Sequence, residues 1–185
     1  SVALASSATM FVSVGIDTLT GGSGNDVISL GTSTQTITVS AIESITGHTA
    51  TTAETFITLG SASSMFVSQV DTLIGSTGSD QVSLGAGGQT ITLARIETLY
   101  GGSGTDLVNL SGGATITLVG VETLTGTTAT TEVVSLGALG NTITVQYIDT
   151  VSGGAGVDVV ALHGSSTGKI TVSGVETLTG STNTT

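Results

Sequence analysis

The acidic side chains are the residues of this sequence whose type and spacing could do chemistry. The chain has 13 Asp and Glu residues against two Lys and Arg, and its formal net charge is -11. Every acid falls at one of two positions of an internal repeat. The first position holds Asp17, Glu43, Asp71, Glu97, Glu122, Asp149 and Glu176. The second position, 9 to 11 residues further on, holds Asp26, Glu54, Asp80, Asp106, Glu132 and Asp158.

Such regular spacing brings like charges together if the repeats stack. Carboxylates about 4.8 Å apart repel each other by roughly 1 kcal/mol per pair in water, and by more where they are partly buried. Two basic residues cannot neutralise 13 acids, so we expect bound cations, hydrogen bonds from turn amides or solvent screening to compensate. Turns that offer only oxygen ligands suit a hard cation, calcium before magnesium. The acids alone leave the cation and the turn amides as alternatives.

The repeat itself predicts the elements that carry these acids. A six-residue phrase such as Ile16 to Gly21 returns seven times, and successive copies start 25 to 28 residues apart. Between copies, apolar and polar residues alternate with a period of two, which is typical of strands with one buried face. We therefore expect an all-β fold, a right-handed parallel β-solenoid of the β-helix or β-roll type. About seven coils of 25 to 28 residues, each with about three short strands, would form a single repeat domain over 1–185.

Stacked coils should align apolar side chains into columns that one coil could not bury alone. One predicted column is Leu30, Leu59, Leu84, Leu110, Leu136 and Leu162, and another is Ile37, Ile91, Ile116, Ile143 and Ile170. Joining Thr185 to Ser1 would nearly continue the repeat, and neither end shows a polar capping repeat. We expect either a segment of a longer array or a unit that assembles head to tail.

Glycine-rich turns connect the two acid positions. Gly21 to Ser29, Gly101 to Asn109 and Gly153 to Ala161 fit the nonapeptide pattern GGxGxDxUx, and Gly75 to Ser83 misses one glycine. These segments resemble the RTX (repeat-in-toxin) calcium-binding nonapeptide repeats. The resemblance implies a secreted bacterial protein, a right-handed parallel β-roll, and calcium held by Asp carboxylates and turn carbonyls.

The resemblance also suggests where calcium would bind. RTX coils contain two nonapeptides, about 18 residues, whereas the repeat here has about 26, which predicts an inserted third strand. The turns before Glu54 and Glu132 lack the glycines. The turns of Asp80 and Asp106 are the only Gly-x-Asp turns that belong to neighbouring predicted coils. Since the resemblance implies calcium that bridges adjacent turns, that pair is the best predicted site. The full set of predicted metal-site residues is Asp80, Asp106, Asp26, Asp158, Gly78, Gly102 and Gly104.

Composition excludes several other classes of protein. The absence of Cys excludes a disulfide scaffold, a cysteine zinc site and a thiol catalyst. The net charge argues against nucleic acid as a partner, and no apolar run approaches the roughly 18 residues that membrane insertion needs. Because every acid belongs to a regular ladder, we do not expect an enzyme. His48 and His163 lie at different phases of the repeat, which predicts surface loop residues.

These observations favour a structural role. We expect an assembly element of a secreted surface filament, surface layer or adhesin stalk at the bacterial cell surface, stabilised by calcium at the Gly-rich Asp turns. Its expected partner is itself, by head-to-tail or lateral assembly, and cell-surface polysaccharide is a further partner to consider. The alternative is an ice-binding module. In that case Thr36, Thr38, Thr90, Thr92, Thr115, Thr117, Thr142 and Thr144 would form one outward TxT face.

Overall fold

The chain folds as a parallel β-solenoid built from two sheets. The computed structural model describes residues 1–48, 53–164 and 169–180, and within these ranges it contains 21 strands and no helix. No described segment could therefore span a membrane as a helix. Every strand pair is parallel, and consecutive strands alternate between the sheets. The predicted all-β parallel solenoid is confirmed.

The eleven-stranded sheet, sheet 1, contains the odd-numbered strands. They are β1 (Val2–Ala3), β3 (Thr18–Thr20), β5 (Gln35–Ser40), β7 (Thr55–Leu59), β9 (Thr72–Ile74), β11 (Thr90–Ala94), β13 (Leu107–Leu110), β15 (Thr123–Thr125), β17 (Thr142–Gln146), β19 (Val159–Leu162) and β21 (Thr177–Thr179). Each pairs only with the odd-numbered strands before and after it.

The ten-stranded sheet, sheet 2, contains the even-numbered strands. They are β2 (Thr9–Val12), β4 (Val27–Leu30), β6 (Ser44–Thr46), β8 (Ser64–Ser68), β10 (Gln81–Leu84), β12 (Thr98–Tyr100), β14 (Ala114–Val119), β16 (Glu132–Leu136), β18 (Thr150–Ser152) and β20 (Thr171–Ser173). One strand from each sheet makes one coil.

The coil is shorter than the sequence repeat. Register partners in adjacent coils lie 16 residues apart at the least, as Leu107 and Thr123, and 22 at the most, as Ser44 and Phe66. The prediction of about seven coils of 25 to 28 residues with three strands each is therefore wrong in detail. The sequence repeat contains three strands and the coil contains two, so one repeat spans one and a half coils. Apolar and polar residues alternate in the same way in all three strands, so this pattern does not indicate how many strands make up one coil.

This half-coil offset changes the predicted apolar columns. Successive repeats present the same residue to opposite sheets: Leu30 lies in β4 of sheet 2 and Leu59 in β7 of sheet 1. The six leucines are therefore not one stacked column. A column that does form runs through Leu19, Val39 and Leu59, which are register partners and are almost completely buried. The core lies between the two sheets and consists of Val, Ile and Leu with Met65.

The predicted threonine face does not form either. Thr36, Thr90 and Thr142 lie in β5, β11 and β17 of sheet 1, whereas Thr115 and Thr117 lie in β14 of sheet 2. Within sheet 1, two strands separate each TxT strand from the next. The half-coil offset again explains the error, because it sends every other repeat to the opposite sheet.

Candidate functional site: the acidic turns

The turns line two edges of the solenoid. We call edge 1 the turns that lead from sheet 1 to sheet 2, and edge 2 the turns that lead back. Along each edge three kinds of turn alternate: a long turn that ends in a buried polar residue, a short turn that ends in an acid, and an intermediate turn. On edge 1, for example, the long turn of Asp26 is followed by the short turn of Glu43 and then by the intermediate turn of Ser63.

This order places the two kinds of acid next to each other. Asp26 stacks beside Glu43 and Asp80 beside Glu97, so members of the two predicted columns are neighbours across adjacent coils. The predicted pair of Asp80 and Asp106 is wrong as a pair. Asp80 lies between β9 and β10 on edge 1, while Asp106 lies between β12 and β13 on edge 2. Since the coil contains two strands rather than three, successive repeats put the same turn on opposite edges.

The Asp residues of the long turns are completely buried. Asp26, Asp80, Asp106 and Asp158 each have 0% exposed surface. Burying a carboxylate is unfavourable unless hydrogen bonds compensate the lost hydration. At each of these turns, backbone N–H groups supply that compensation from two directions.

One carboxylate oxygen accepts an N–H from the preceding coil and the other accepts an N–H from the same turn. In Asp106, Oδ1 accepts from Gln89 N at 2.8 Å and Oδ2 accepts from Gly102 N at 3.0 Å. In Asp80, Oδ1 accepts from Ser63 N at 2.8 Å, and Oδ2 accepts from Ser76 N at 2.7 Å and Ser76 Oγ at 3.0 Å. The same two backbone donors occur at Asp26, from Ala8 and Gly22, and at Asp158, from Asn141 and Gly154.

The acid of each short turn binds the backbone of the long-turn residue in the preceding coil. Asp80 donates its N–H to Glu97 Oε2 at 2.7 Å, and the Asp80 carbonyl accepts the Glu97 N–H at 3.2 Å. Carboxylates of Glu43, Asp71, Glu122, Asp149 and Glu176 accept an N–H from the long turn of the preceding coil in the same way. The acids therefore form an amide–carboxylate ladder that ties each coil to its neighbours.

Asp158 shows the electrostatic consequence. Burial by itself would raise the pKa of its carboxyl group. The Asn141 side chain donates to Oδ1 at 2.9 Å, and the N–H groups of Gly154 and Asn141 also donate to the carboxylate. These hydrogen bonds stabilise the charged form more than burial destabilises it, and they hold the pKa below its usual range.

One acid of the predicted second position is not in the ladder. Glu54 is exposed, and Thr55, which is completely buried, takes the structural position that Asp holds elsewhere. The Thr55 N–H donates to Asp71 Oδ2 at 2.7 Å. Side chains alternate along the strand, and the buried position lies two residues before the first core residue, here Ile57. Counting back from Ile57 would have identified Thr55.

The two long turns that do not end in Asp are also the ones in which, among the described residues, a buried side-chain oxygen has no hydrogen-bond partner. Glu132 is completely buried, and its Oε1 accepts from Thr127 N, Thr127 Oγ1 and Thr130 Oγ1. Among the described residues, buried atoms without a hydrogen-bond partner include Glu132 Oε2 and Thr55 Oγ1. All four Asp turns, by contrast, have both carboxylate oxygens bonded.

Three amide residues of the intermediate turns were not predicted. Asn141 Oδ1 accepts the Gly120 N–H at 3.2 Å, and Gln89 Oε1 accepts the Gln69 N–H at 2.7 Å. Gln35, also buried, donates to the Ser13 carbonyl. Along the chain, Gln89 follows Gln35 by 54 residues and Asn141 follows Gln89 by 52 residues. This spacing is about twice the length of the sequence repeat, and it corresponds to three coils. A search at the double period would have found them.

The glycines of the long turns allow neighbouring turns to pack closely. A Cβ placed on Gly75 would lie 1.7 Å from the Arg95 carbonyl oxygen and 2.9 Å from Asp80 Oδ2. Gly75 thus faces the turn of the following coil, whereas the predicted metal-site glycines Gly78, Gly102 and Gly104 face the turn of the preceding coil: their added Cβ atoms would lie 2.7 Å or less from Ala62, Gly85 and Gly88. Close stacking therefore accounts for much of the glycine pattern.

The donor chemistry of these turns fits a hard cation. Each buried Asp carboxylate uses only some of its roughly four acceptor positions, and its turn supplies carbonyl oxygens. No group of three His, Cys, Asp or Glu that could hold a metal occurs among residues 1–48, 53–164 and 169–180. A cation would therefore combine one Asp, from among Asp26, Asp80, Asp106 and Asp158, with backbone carbonyls.

Comparison with protein families identifies these turns. Four stretches match the RTX calcium-binding nonapeptide repeat: residues 9–33, 68–88, 96–116 and 146–164, together just under half of the chain. Each stretch contains one of the four buried Asp turns, and the turns before Thr55 and Glu132 lie outside all four. No curated protein matches the chain, and no solved structure does. The prediction of RTX-like repeats is therefore confirmed for these four stretches of the chain.

Proposed function

We propose that this protein is a structural and assembly element of a secreted bacterial surface filament, surface layer or adhesin stalk. The observation that carries the proposal is the amide–carboxylate ladder, in which acids of both repeat positions take part as hydrogen-bond acceptors between coils. A solenoid whose charged residues bond each coil to the next is suited to bear load and to display an extended surface. A secreted location agrees with the calcium-binding repeat family that it matches.

Calcium has a defined place in this proposal. The residues that would hold it are Asp26, Asp80, Asp106 and Asp158, each with carbonyl oxygens of its own turn and the stacked turn. Bound calcium would supply positive charge to a chain of formal net charge -11. Because the buried Asp side chains also accept amide hydrogen bonds, we expect the solenoid to fold in chelator and to become more stable when calcium is added.

The location and the assembly can be tested together. In the source organism, immunogold labelling with an antibody to this chain should decorate the cell exterior, and a protease added to intact cells should digest the chain. The purified chain should form rods or larger arrays, measured by electron microscopy and sedimentation velocity with calcium and with chelator. A cytoplasmic, strictly monomeric chain in both conditions would contradict the proposal.

A further inference from the structure

The outward face of sheet 2 carries two aromatic side chains in one register column. Phe66 of β8 pairs with Ser83 of β10, and Ser83 pairs with Tyr100 of β12. Phe66 is 43% exposed and Tyr100 is 37% exposed, with only the small Ser83 side chain between them. Each of the three strands is paired on both sides, so the exposure of these rings does not depend on the terminal coils.

The Phe66 ring lies along the sheet. A Cβ added to Gly85, in the following coil, would lie 3.2 Å from Phe66 Cζ, which is the far end of the ring. Because this end rests against the backbone, the ring covers the sheet surface and offers its exposed area as a flat platform. Covering such exposed aromatic area with a flat apolar surface is favourable.

Polar side chains flank the aromatic column on the same face. Thr98 lies two residues before Tyr100 and faces the same side, because Leu99 between them is completely buried. Thr98 pairs with Gln81 in one neighbouring strand and with Thr117 in the other. This face of the sheet therefore offers hydroxyl and amide groups beside the aromatic rings.

A surface cleft of about 470 Å³ adjoins these polar side chains. It is lined by Thr98 and Thr117, and also by Arg95 and Glu97 of the short turn. The positive and the negative side chain balance each other, and the strands β8, β10, β12 and β14 contain no charged residue. An uncharged ligand that carries hydroxyl groups therefore fits this surface better than an ionic ligand.

The spacing of the two rings indicates the shape of that ligand. Stacked strands lie about 4.8 Å apart, so Phe66 and Tyr100 are separated by about 9.6 Å along the solenoid axis. In an extended β-linked chain of hexoses, as in cellulose or chitin, each sugar adds roughly 5 Å, given covalent bonds of about 1.5 Å. Alternate sugars of such a chain present the same face. Two sugars with one between them would therefore reach both rings.

We propose that the outward face of sheet 2 around Phe66 and Tyr100 binds an uncharged, extended β-linked polysaccharide that runs along the solenoid axis. The apolar C–H faces of alternate sugars stack on the two rings, and sugar hydroxyl groups bond to the flanking polar side chains. This inference rests on the proposed role at the cell surface and names the class of partner.

Oligosaccharides of defined length test the spacing. The full chain would be titrated, in calcium, with β-linked oligomers of glucose and of N-acetylglucosamine by calorimetry. We expect the affinity to rise sharply between two and three sugars, because only three sugars reach both rings. Oligomers of glucose with the α-linkage of starch follow a curved path, so they should bind about tenfold more weakly or not at all.

Substitutions on this face test the two rings. Phe66→Ala and Tyr100→Ala should each weaken the binding of the three-sugar oligomer about tenfold, the effect of one lost ring contact. Ser83→Lys keeps both rings but places a charged side chain between them, and it should also weaken binding. Tyr100→Phe, which keeps the ring, should bind normally. The matched control is Phe56→Ala, which removes a half-buried aromatic side chain of sheet 1 and should leave binding unchanged.

Circular dichroism would verify that each variant is folded. Absence of binding to both β-linked series, equal affinity for the α-linked oligomers, or affinity that does not depend on length would overturn the proposal. Sedimentation velocity on Phe66→Ala/Tyr100→Ala gives a further test: lost assemblies with unchanged sugar binding would assign this face to contacts between copies. A chain that assembles at the cell surface but binds no sugar refutes only this inference. A chain that binds sugar but remains cytoplasmic and monomeric refutes only the proposed function.

Discussion

Asp80 and Glu97 bind each other's backbone across adjacent coils: the Asp80 N–H donates to Glu97 Oε2, and the Glu97 N–H donates to the Asp80 carbonyl. The Asp80 carboxylate meanwhile accepts N–H groups from Ser63 and Ser76. A residue whose charge could have repelled its neighbours is thus a link between three successive coils.

The first prediction concerns the close packing at Gly75. Gly75→Ala would place a methyl group against the Arg95 carbonyl and Asp80 Oδ2, so the turn must shift and weaken its hydrogen bonds. We expect the free energy of unfolding to fall by about 2 to 4 kcal/mol, as for other steric and hydrogen-bond losses in packed regions. Urea denaturation followed by circular dichroism would measure it. Gly180→Ala, where no atom lies within 4 Å of the added Cβ, should change little.

The second prediction concerns the residue two positions before the acid of each short turn. It adopts positive φ in all seven copies: Gly15, Ala41, Gln69, Arg95, Gly120, Tyr147 and Gly174. Ala41, with φ of 50°, carries left-handed strain that glycine would relieve. We expect Ala41→Gly to raise the free energy of unfolding by roughly 0.5 to 1 kcal/mol after the entropy cost of glycine.

The reverse substitution provides the matched control. Gly120→Ala introduces the same strain at an equivalent turn and should lower the free energy of unfolding by a similar amount. Equal effects of the same sign from both substitutions would show that the backbone conformation of these turns is not the cause.

The third prediction concerns pH. The pKa of Asp158 is lower in the folded chain than in the unfolded chain, so its contribution to stability is present above the unfolded pKa of about 3.9. That contribution disappears as the pH falls through the lower folded pKa. Asn141→Ala removes the side-chain donor, which raises the folded pKa of Asp158 and reduces stability at neutral pH. Urea denaturation from pH 7 to pH 3 should show a smaller loss of stability on acidification for Asn141→Ala than for the unmodified chain. An unchanged pH profile would argue against the Asn141 bond.

The sequence predicted the class of fold because alternation, the repeat and the turn glycines are local features. It also located the four buried Asp turns, which the family comparison matches. It could not predict how many strands close a coil, because β4, β5 and β6 all read as short alternating strands. The number of strands in a coil depends on how the two sheets pack, which is not a local feature of the sequence. Because the predicted coil was too long, Asp80 and Asp106 were predicted to be neighbours, whereas they lie on opposite edges. Glu54 was misplaced for a local reason, since an acid one residue from the buried position looks equivalent until side-chain alternation is counted.

The fourth prediction concerns the cation. Terbium, a luminescent substitute for calcium, should bind the chain, and calcium should displace it. Asp106→Asn should weaken terbium binding because it removes the carboxylate of one matched turn, whereas Glu54→Gln should not, because Glu54 lies outside the ladder. Equal losses from both variants would indicate nonspecific attraction to a chain of net charge -11.

The most direct test of the amide–carboxylate ladder is the thermal unfolding of Asp80→Asn in excess chelator, with Glu54→Gln as the control. Without any metal, the side-chain NH2 group of the Asn amide would face a backbone N–H group that now donates a hydrogen bond to Asp80 Oδ1 or Oδ2. We predict a loss of about 2 to 3 kcal/mol, or a fall in Tm of roughly 5 to 10 °C, and no change for Glu54→Gln. If Asp80→Asn unfolds like the unmodified chain in chelator and differs only when calcium is present, the buried Asp residues act through the metal, and the ladder does not hold the coils together.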